Sequence, residues 1–124
     1  MIHSEKINIT KNMVKEYSNL IGDKNPIHVD VDYAKTTIFK KPIAHGMLIS
    51  SFFSKIISET YPGHGSIYLS QNIKFVKPCY VGEIINVVIT LIDTQNNKYN
   101  LLTQIFDNDG ELLVDGSALI LKKE

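Results

Sequence analysis

The segment from His45 to Tyr61 constrains the fold more than any other part of the chain. Leu48, Phe52 and Ile56 make one i, i+4 row on a helix, and Ile49, Phe53, Ile57 and Tyr61 make the row beside it. Ser50, Ser54 and Ser58 add a row of small hydroxyl side chains, so only Ser51, Lys55 and Glu59 look made for water. A helix over residues 45–61 with this pattern is buried around most of its circumference. Its small row suits the close approach of a curved sheet, and Pro62-Gly63 with Gly65 ends it.

After Gly65 the apolar period changes to two. Ile67, Leu69, Ile73 and Phe75 share one face of a strand running to Val76. Ile85, Val87, Ile89 and Leu91 share a face of the next, with Asn86 and Thr90 opposite. Asn96-Asn97 turns the chain into a strand ending near Phe106, and Asn108-Asp109-Gly110 turns it into a last strand from about Leu112 to Leu121. Ahead of the long helix, Ile2, Ile7 and Ile9 suggest a short extended start. A helix then follows Thr10 as N-cap, carries Met13, Val14, Tyr17, Leu20 and Ile21, and stops at Gly22. Residues 22–28 read as a loop because Pro26 pushes Asn25 out of helical geometry. Asp32 is placed to cap a short turn through Tyr33, Ala34 and Ile38. Helices first and hairpin-linked strands after predict an α+β fold, an antiparallel sheet wrapped around one long buried helix. With 124 residues and no repeat or linker, residues 1–124 are expected to form a single domain.

Charge and cysteine content narrow the function classes. Thirteen Lys+Arg balance thirteen Asp+Glu, leaving no basic excess to neutralise the phosphates of a nucleic acid. The apolar run Ile84–Ile92 is broken by Asn86 and Thr90 and is too short to span a bilayer, so no membrane partner is expected. Residues 1–10 hold no continuous apolar stretch of the kind a signal peptide needs. The single Cys79 excludes an internal disulfide and any multi-cysteine metal site, and reads as small packing material. Together these point to a soluble protein of a reducing compartment, the cytoplasm.

Two features could do chemistry. Gly22-Asp23-Lys24-Asn25-Pro26-Ile27-His28 puts an acid, an amide and an imidazole on one short segment, able to aim Asp23, Asn25 and His28 at one water. The same residues would also serve as an ordinary turn with an Asx cap and a surface histidine, and spacing alone does not choose. His45-Gly46-Met47 opens the buried helix, where unpaired N–H groups sit at the positive end of the dipole. A glycine there leaves a backbone N–H accessible to a ligand oxygen, though it also suits a tight helix start. His3, His28, His45 and His64 lack metal-ligand spacing, and alternate acids such as Asp30 and Asp32 are ordinary caps, so no metal is expected.

The two features together resemble the short (R)-specific enoyl-CoA hydratases of the MaoC-like hydratase family, over the chain from about Tyr17 onward. The residues that carry the resemblance are Tyr17, Gly22, Asp23, Asn25, Pro26, Ile27, His28 and Ala34, then Pro42-Ile43-Ala44-His45-Gly46-Met47-Leu48 and Ser54. Gly65-Ser66-Ile67-Tyr68-Leu69, Gln71, Phe75, Pro78, Val81-Gly82 and Glu83 continue it. Ile21 departs from the pattern, which favours a small or hydroxylated residue there, and Ser70 stands where relatives often carry glycine.

The resemblance implies a hot-dog fold and reversible hydration of a trans-2-enoyl thioester to the (R)-3-hydroxyacyl thioester, a lyase reaction of fatty acid metabolism. It implies Asp23 and His28 as the catalytic pair that activates water, Asn25 as a water-positioning partner, the Gly46 N–H as oxyanion donor and Ser54 as a supporting polar group near the pair. His45 is expected to be structural or a cap. The acyl-CoA is the substrate and no cofactor is implied; a homodimer is. The alternatives are a 3-hydroxyacyl thioester dehydratase acting on acyl carrier protein, with Lys40-Lys41 the one hint of a basic groove, or a non-catalytic acyl-thioester-binding subunit. A hot-dog thioesterase would need a carboxylate on the central helix, where Glu59 falls on the wet stripe.

Overall fold

A computed structural model describes residues 1–123. The elements run β1 (Ile2–Asn8), α1 (Lys11–Ile21), α2 (Pro26–Val29), α3 (Val31–Lys35), α4 (Gly46–Glu59), β2 (Ile67–Phe75), β3 (Ile84–Gln95), β4 (Lys98–Phe106) and β5 (Leu112–Leu121). The strands make one antiparallel sheet in the order β1-β3-β4-β5-β2, so β3 to β5 form a central meander with β1 and β2 at the edges. The β3–β4 turn places Asn96 and Asn97 at φ 54 and 64, the left-handed pair that suits a tight hairpin.

The core lies between the meander and α4. Ile85, Val87 and Ile89 of β3, Leu101 and Ile105 of β4 and Val114, Ala118 and Ile120 of β5 present buried side chains to Leu48, Ile49, Phe53, Ile56 and Ile57 of α4. Burying Phe53, 1% exposed, is worth roughly 1.5–3 kcal/mol, and the period-two and period-3.6 patterns meet along this seam. This is the hot-dog arrangement the resemblance implied. Among the described residues no helix is long and apolar enough to cross a membrane.

The helix termini follow from side chains that satisfy orphan backbone groups. Thr10 Oγ1 accepts the Met13 N–H at 3.1 Å, and Gly22, at φ 83, returns its N–H to Ser18 O at 2.9 Å. Residues 22–28 are less of a loop than expected: Asn25 caps a helical turn at Pro26–Val29, with proline at the first position, where its missing N–H costs nothing. The next turn is capped by Asp30, whose carboxylate accepts the Tyr33 N–H at 3.0 Å, and Asp32 sits inside it. α2 and α3 pack on each other and α2 on α1, and an Ile43–Tyr80 bridge marks the chain's return toward the sheet.

Two expectations about faces need correction. A bulge between Tyr68 and Ser70 reverses the alternation of β2. Ile73 and Phe75 pair with Gly116 and Val114 on the helix side, but Ile67 pairs with Leu121 on the other. The serine row of α4 is also uneven: Ser50 is buried, whereas Ser54 is exposed and Met47 is 57% exposed. The helix is thus open along a strip beside β2. A close backbone approach occurs within the sheet, at Gly116 of β5, where an added Cβ would lie 2.1 Å from Asn72 O of β2.

Candidate active site

Asp23 follows the left-handed Gly22, so the end of α1 turns the chain and sets the carboxylate at the surface, where Oδ1 accepts the Asn25 N–H at 3.3 Å. His28, on α2, is half-buried and its Nδ1 lies 2.7 Å from Ile43 O. A carbonyl oxygen only accepts, so Nδ1 carries the proton and Nε2 keeps its lone pair when the ring is neutral.

His45 sits beneath both. It occupies the N-cap position of α4 and is 3% exposed. Its ring stacks on His28 with centroids 3.7 Å apart and planes 26° from parallel, and Tyr17 meets its edge at 4.9 Å. Nε2–H of His45 is shared between Asp23 O and Ser18 Oγ, each 3.1 Å away. Burial pushes its pKa below the ordinary 6.5; the bond to the Asp23 carbonyl opposes this, the His28 charge adds to it and the Asp23 charge opposes it. A neutral His45 therefore anchors the backbone of the acid and the ring of the base without adding a cation beside them.

The donor atoms of Asp23, His28 and His45 lie within 4.8 Å of one another. A chelate needs lone pairs that converge, whereas nearly parallel stacked rings send theirs side by side, and His45 Nε2 is committed to Asp23 O. The trio is better suited to hydrogen-bonding a small polar molecule than to ligating an ion.

Asp23, His28 and Gly46 line one hollow of about 360 Å³, walled by Ile43, Ile49, Phe75 and Val76. Gly46 is the first residue of α4, so its N–H has no acceptor within the helix and lies at the positive end of the dipole. An added Cβ there would meet the Phe75 ring at 2.5 Å, so the room this glycine leaves is taken by an aromatic roof over the hollow. Cys79 also lines it, but burial pushes its thiol up to about 12, with Glu83 and Asp107 adding to the shift, which leaves it unreactive as expected of packing material.

The other two expected residues lie elsewhere. Asn25 spends its side-chain oxygen on the Ile27 N–H at 3.3 Å and does not line the hollow; it shapes the turn between acid and base. Ser54 lines a separate hollow of about 260 Å³ with Tyr17, Met47, Tyr68 and Gln71, so within one chain it is not beside the pair. His45 is structural, as expected, and holds the N-cap position without a side-chain cap bond; sequence reasoning missed what it holds and the part played by Ser18 and Phe75. Ser18 left a signal: it follows Val14 by one helical turn on the buried face of α1, and a buried hydroxyl needs a partner.

The comparisons with known proteins identify the family and the fold. A model of the MaoC-like domain matches residues 1–107. The chain is 38% identical over 109 residues to an (R)-specific enoyl-CoA hydratase of Aeromonas caviae, covering 86% of this chain and 81% of the relative. It is 41% identical over 111 residues to a mitochondrial 3-hydroxyacyl-[acyl-carrier-protein] dehydratase of Arabidopsis thaliana, covering 85% of this chain and 65% of the relative. A solved (R)-hydratase from A. caviae involved in PHA biosynthesis superposes with a TM-score of 0.97 at 33% identity, covering 99% of this chain and 95% of that one. Acid, base and open helix N-terminus therefore sit on a scaffold shared almost from end to end with those proteins, and the chain belongs to the MaoC-like domain family.

Proposed function

We propose that the chain is an (R)-specific enoyl-CoA hydratase, adding water reversibly across the double bond of a trans-2-enoyl-CoA to give the (R)-3-hydroxyacyl-CoA. The observation that carries this reading is the shared hollow: a carboxylate, an imidazole with its Nδ1 tied down, and a helix N-terminus face one space with apolar walls. A water held between Asp23 and His28 Nε2 attacks C3 and gives up a proton to the pair. The electrons move onto the thioester oxygen, where the Gly46 N–H and the helix dipole meet the growing charge. One proton returns to C2, so H and OH have added and the pair is unchanged. Water activation by such a pair supplies on the order of 10²–10⁴ in rate, and one oxyanion donor roughly 10²–10³. In this reading Asn25 holds the acid and base in register.

The relative named for acyl-carrier-protein substrates supports a second reading, in which the same groups run the reverse elimination on a carrier-protein thioester. The edge strand β2 supports a homodimer: Ile67, Leu69 and Phe75 are about half exposed on it, and its free ladder edge could pair with a second copy. One buried thiol fits a reducing compartment, and we assign the enzyme to the cytoplasm.

The test is loss of the conjugated enoyl absorbance of crotonyl-CoA, with a coupled (R)-3-hydroxyacyl dehydrogenase reading product handedness. Asp23→Asn and His28→Ala are each expected to lower turnover at least about a hundredfold while the protein stays folded. Near-wild-type turnover in either variant would sink the assigned roles. Activity confined to a carrier-protein thioester would favour the second reading.

A further inference from the structure

The ring of His28 is oriented by a backbone carbonyl and not by a carboxylate. Its Nδ1–H goes to Ile43 O at 2.7 Å, so the place of that oxygen sets both the tautomer and the aim of Nε2. Ile43 spends its other backbone group on α2 as well, its N–H bonding Ile27 O at 3.2 Å. On its far side Ile43 is held by residues 79–81. Ala44 N–H bonds Cys79 O at 2.7 Å, Val81 N–H bonds Pro42 O at 3.1 Å, and Ile43 faces Tyr80 between them as an antiparallel bridge.

Residues 80–83 form a turn that one side chain completes. Tyr80 O accepts the Glu83 N–H at 3.1 Å, and Gly82 at φ 98 supplies the left-handed third residue such a turn needs. The remaining backbone group, Tyr80 N–H, donates to the Glu83 carboxylate at 3.0 Å. Glu83 therefore takes both polar groups of the residue that faces Ile43. The turn is itself anchored, since Ile9 N–H bonds Glu83 O at 2.9 Å and Gly82 N–H bonds Ile9 O, and Ile9 is fully buried. Among the described residues the Glu83 carboxylate is in no ion pair. A half-buried charge is thus kept for one backbone donor, beside the catalytic hollow: after burial, Glu83 is the next influence that raises the Cys79 thiol lining it.

We propose that Glu83 is a positioning residue for His28. Its carboxylate fixes the turn at Tyr80, the bridge carries that position to Ile43, and the Ile43 carbonyl holds the imidazole with Nε2 free toward the water. The proposal rests on the hydratase reading for the reaction affected, whereas the ring's tautomer reports it independently of any substrate.

The experiment compares wild type with Glu83→Ala, Glu83→Leu and Glu83→Gln. Leucine keeps the bulk of the side chain in case the alanine variant does not fold, and glutamine keeps an oxygen that can accept the Tyr80 N–H. Proton–nitrogen NMR at about pH 8, where an ordinary imidazole is neutral, reads the His28 tautomer, with His28→Ala assigning the signal. In the alanine and leucine variants the ring is expected to exchange into the Nε2–H form. With crotonyl-CoA their kcat falls roughly tenfold while KM stays within about twofold. Glu83→Gln restores both the tautomer and kcat. A wild-type tautomer in the folded alanine or leucine variant would overturn the proposal, as would a glutamine variant as damaged as they are. So would a rise in KM at unchanged kcat, which places Glu83 in binding. A tautomer that changes as expected, in a protein that hydrates no enoyl thioester even as wild type, would keep the positioning and overturn the hydratase reading.

Discussion

His45 shows how one buried side chain can arrange two others. Its proton goes to Asp23 O, its face supports His28, and its burial keeps it neutral. The same burial links it to stability. With the folded pKa held below 6.5, the folded state binds fewer protons than the unfolded one as pH falls under that value, so the contribution is complete above 6.5 and drains away below it. We expect Tm to fall from about pH 7 to about pH 5, and the fall to be shallower in His45→Gln, which keeps an amide donor but cannot titrate. Thermal unfolding of both proteins across that range decides it; parallel slopes would remove His45 from the account. Asp23, His28 and Gly46 were visible in the sequence as candidates in two short runs, but spacing left an ordinary turn and a tight helix start equally open, and only the family resemblance chose among them. The partner of Asp23 lies twenty-two residues away in His45, and no local pattern announces a contact of that separation.

Among the elements, the helices were the more readable. Thr10 and Gly22 close α1 with their own hydrogen bonds, and the apolar rows of α4 place it in the core whatever surrounds it. β2 was not readable in the same way. Its bulge exists only in the register with β5, so nothing between Ile67 and Phe75 reveals that Ile67 and Ile73 point apart. Gly116 belongs to that same register and is open to a direct check. An added Cβ meets backbone at 2.1 Å with no side chain to swing aside, so β2 must shift. At Gly46 the obstacle is the half-exposed Phe75 ring, which can rotate. Gly116→Ala is therefore expected to lower stability by about 1–3 kcal/mol and Gly46→Ala by less, read as urea midpoints. The reverse ranking would mean that β2 yields more easily than its pairing suggests.

For the whole molecule, the exposed edge is the feature that a single chain leaves unresolved by its own packing. Ile67 and Leu69 stand 55% and 45% exposed on a strand whose outer ladder is free. Such an edge invites a partner, and charge placed on it discourages pairing. Ile67→Lys/Leu69→Lys is expected to sediment as a monomer with unchanged secondary structure, where wild type sediments as a dimer; a wild-type monomer would refute the homodimer. The remaining lesson lies in how α2 and α3 are attached. They rest on each other, on α1 and on the strand-like segment at Ile43, while the buried cluster is built mostly by the sheet and α4. The piece that bears Asp23 and His28 is thus an attachment and the core is a chassis. Such an architecture lets inheritance edit the reaction and the scaffold under separate constraints: one must stay polar and well aimed, the other greasy and well filled.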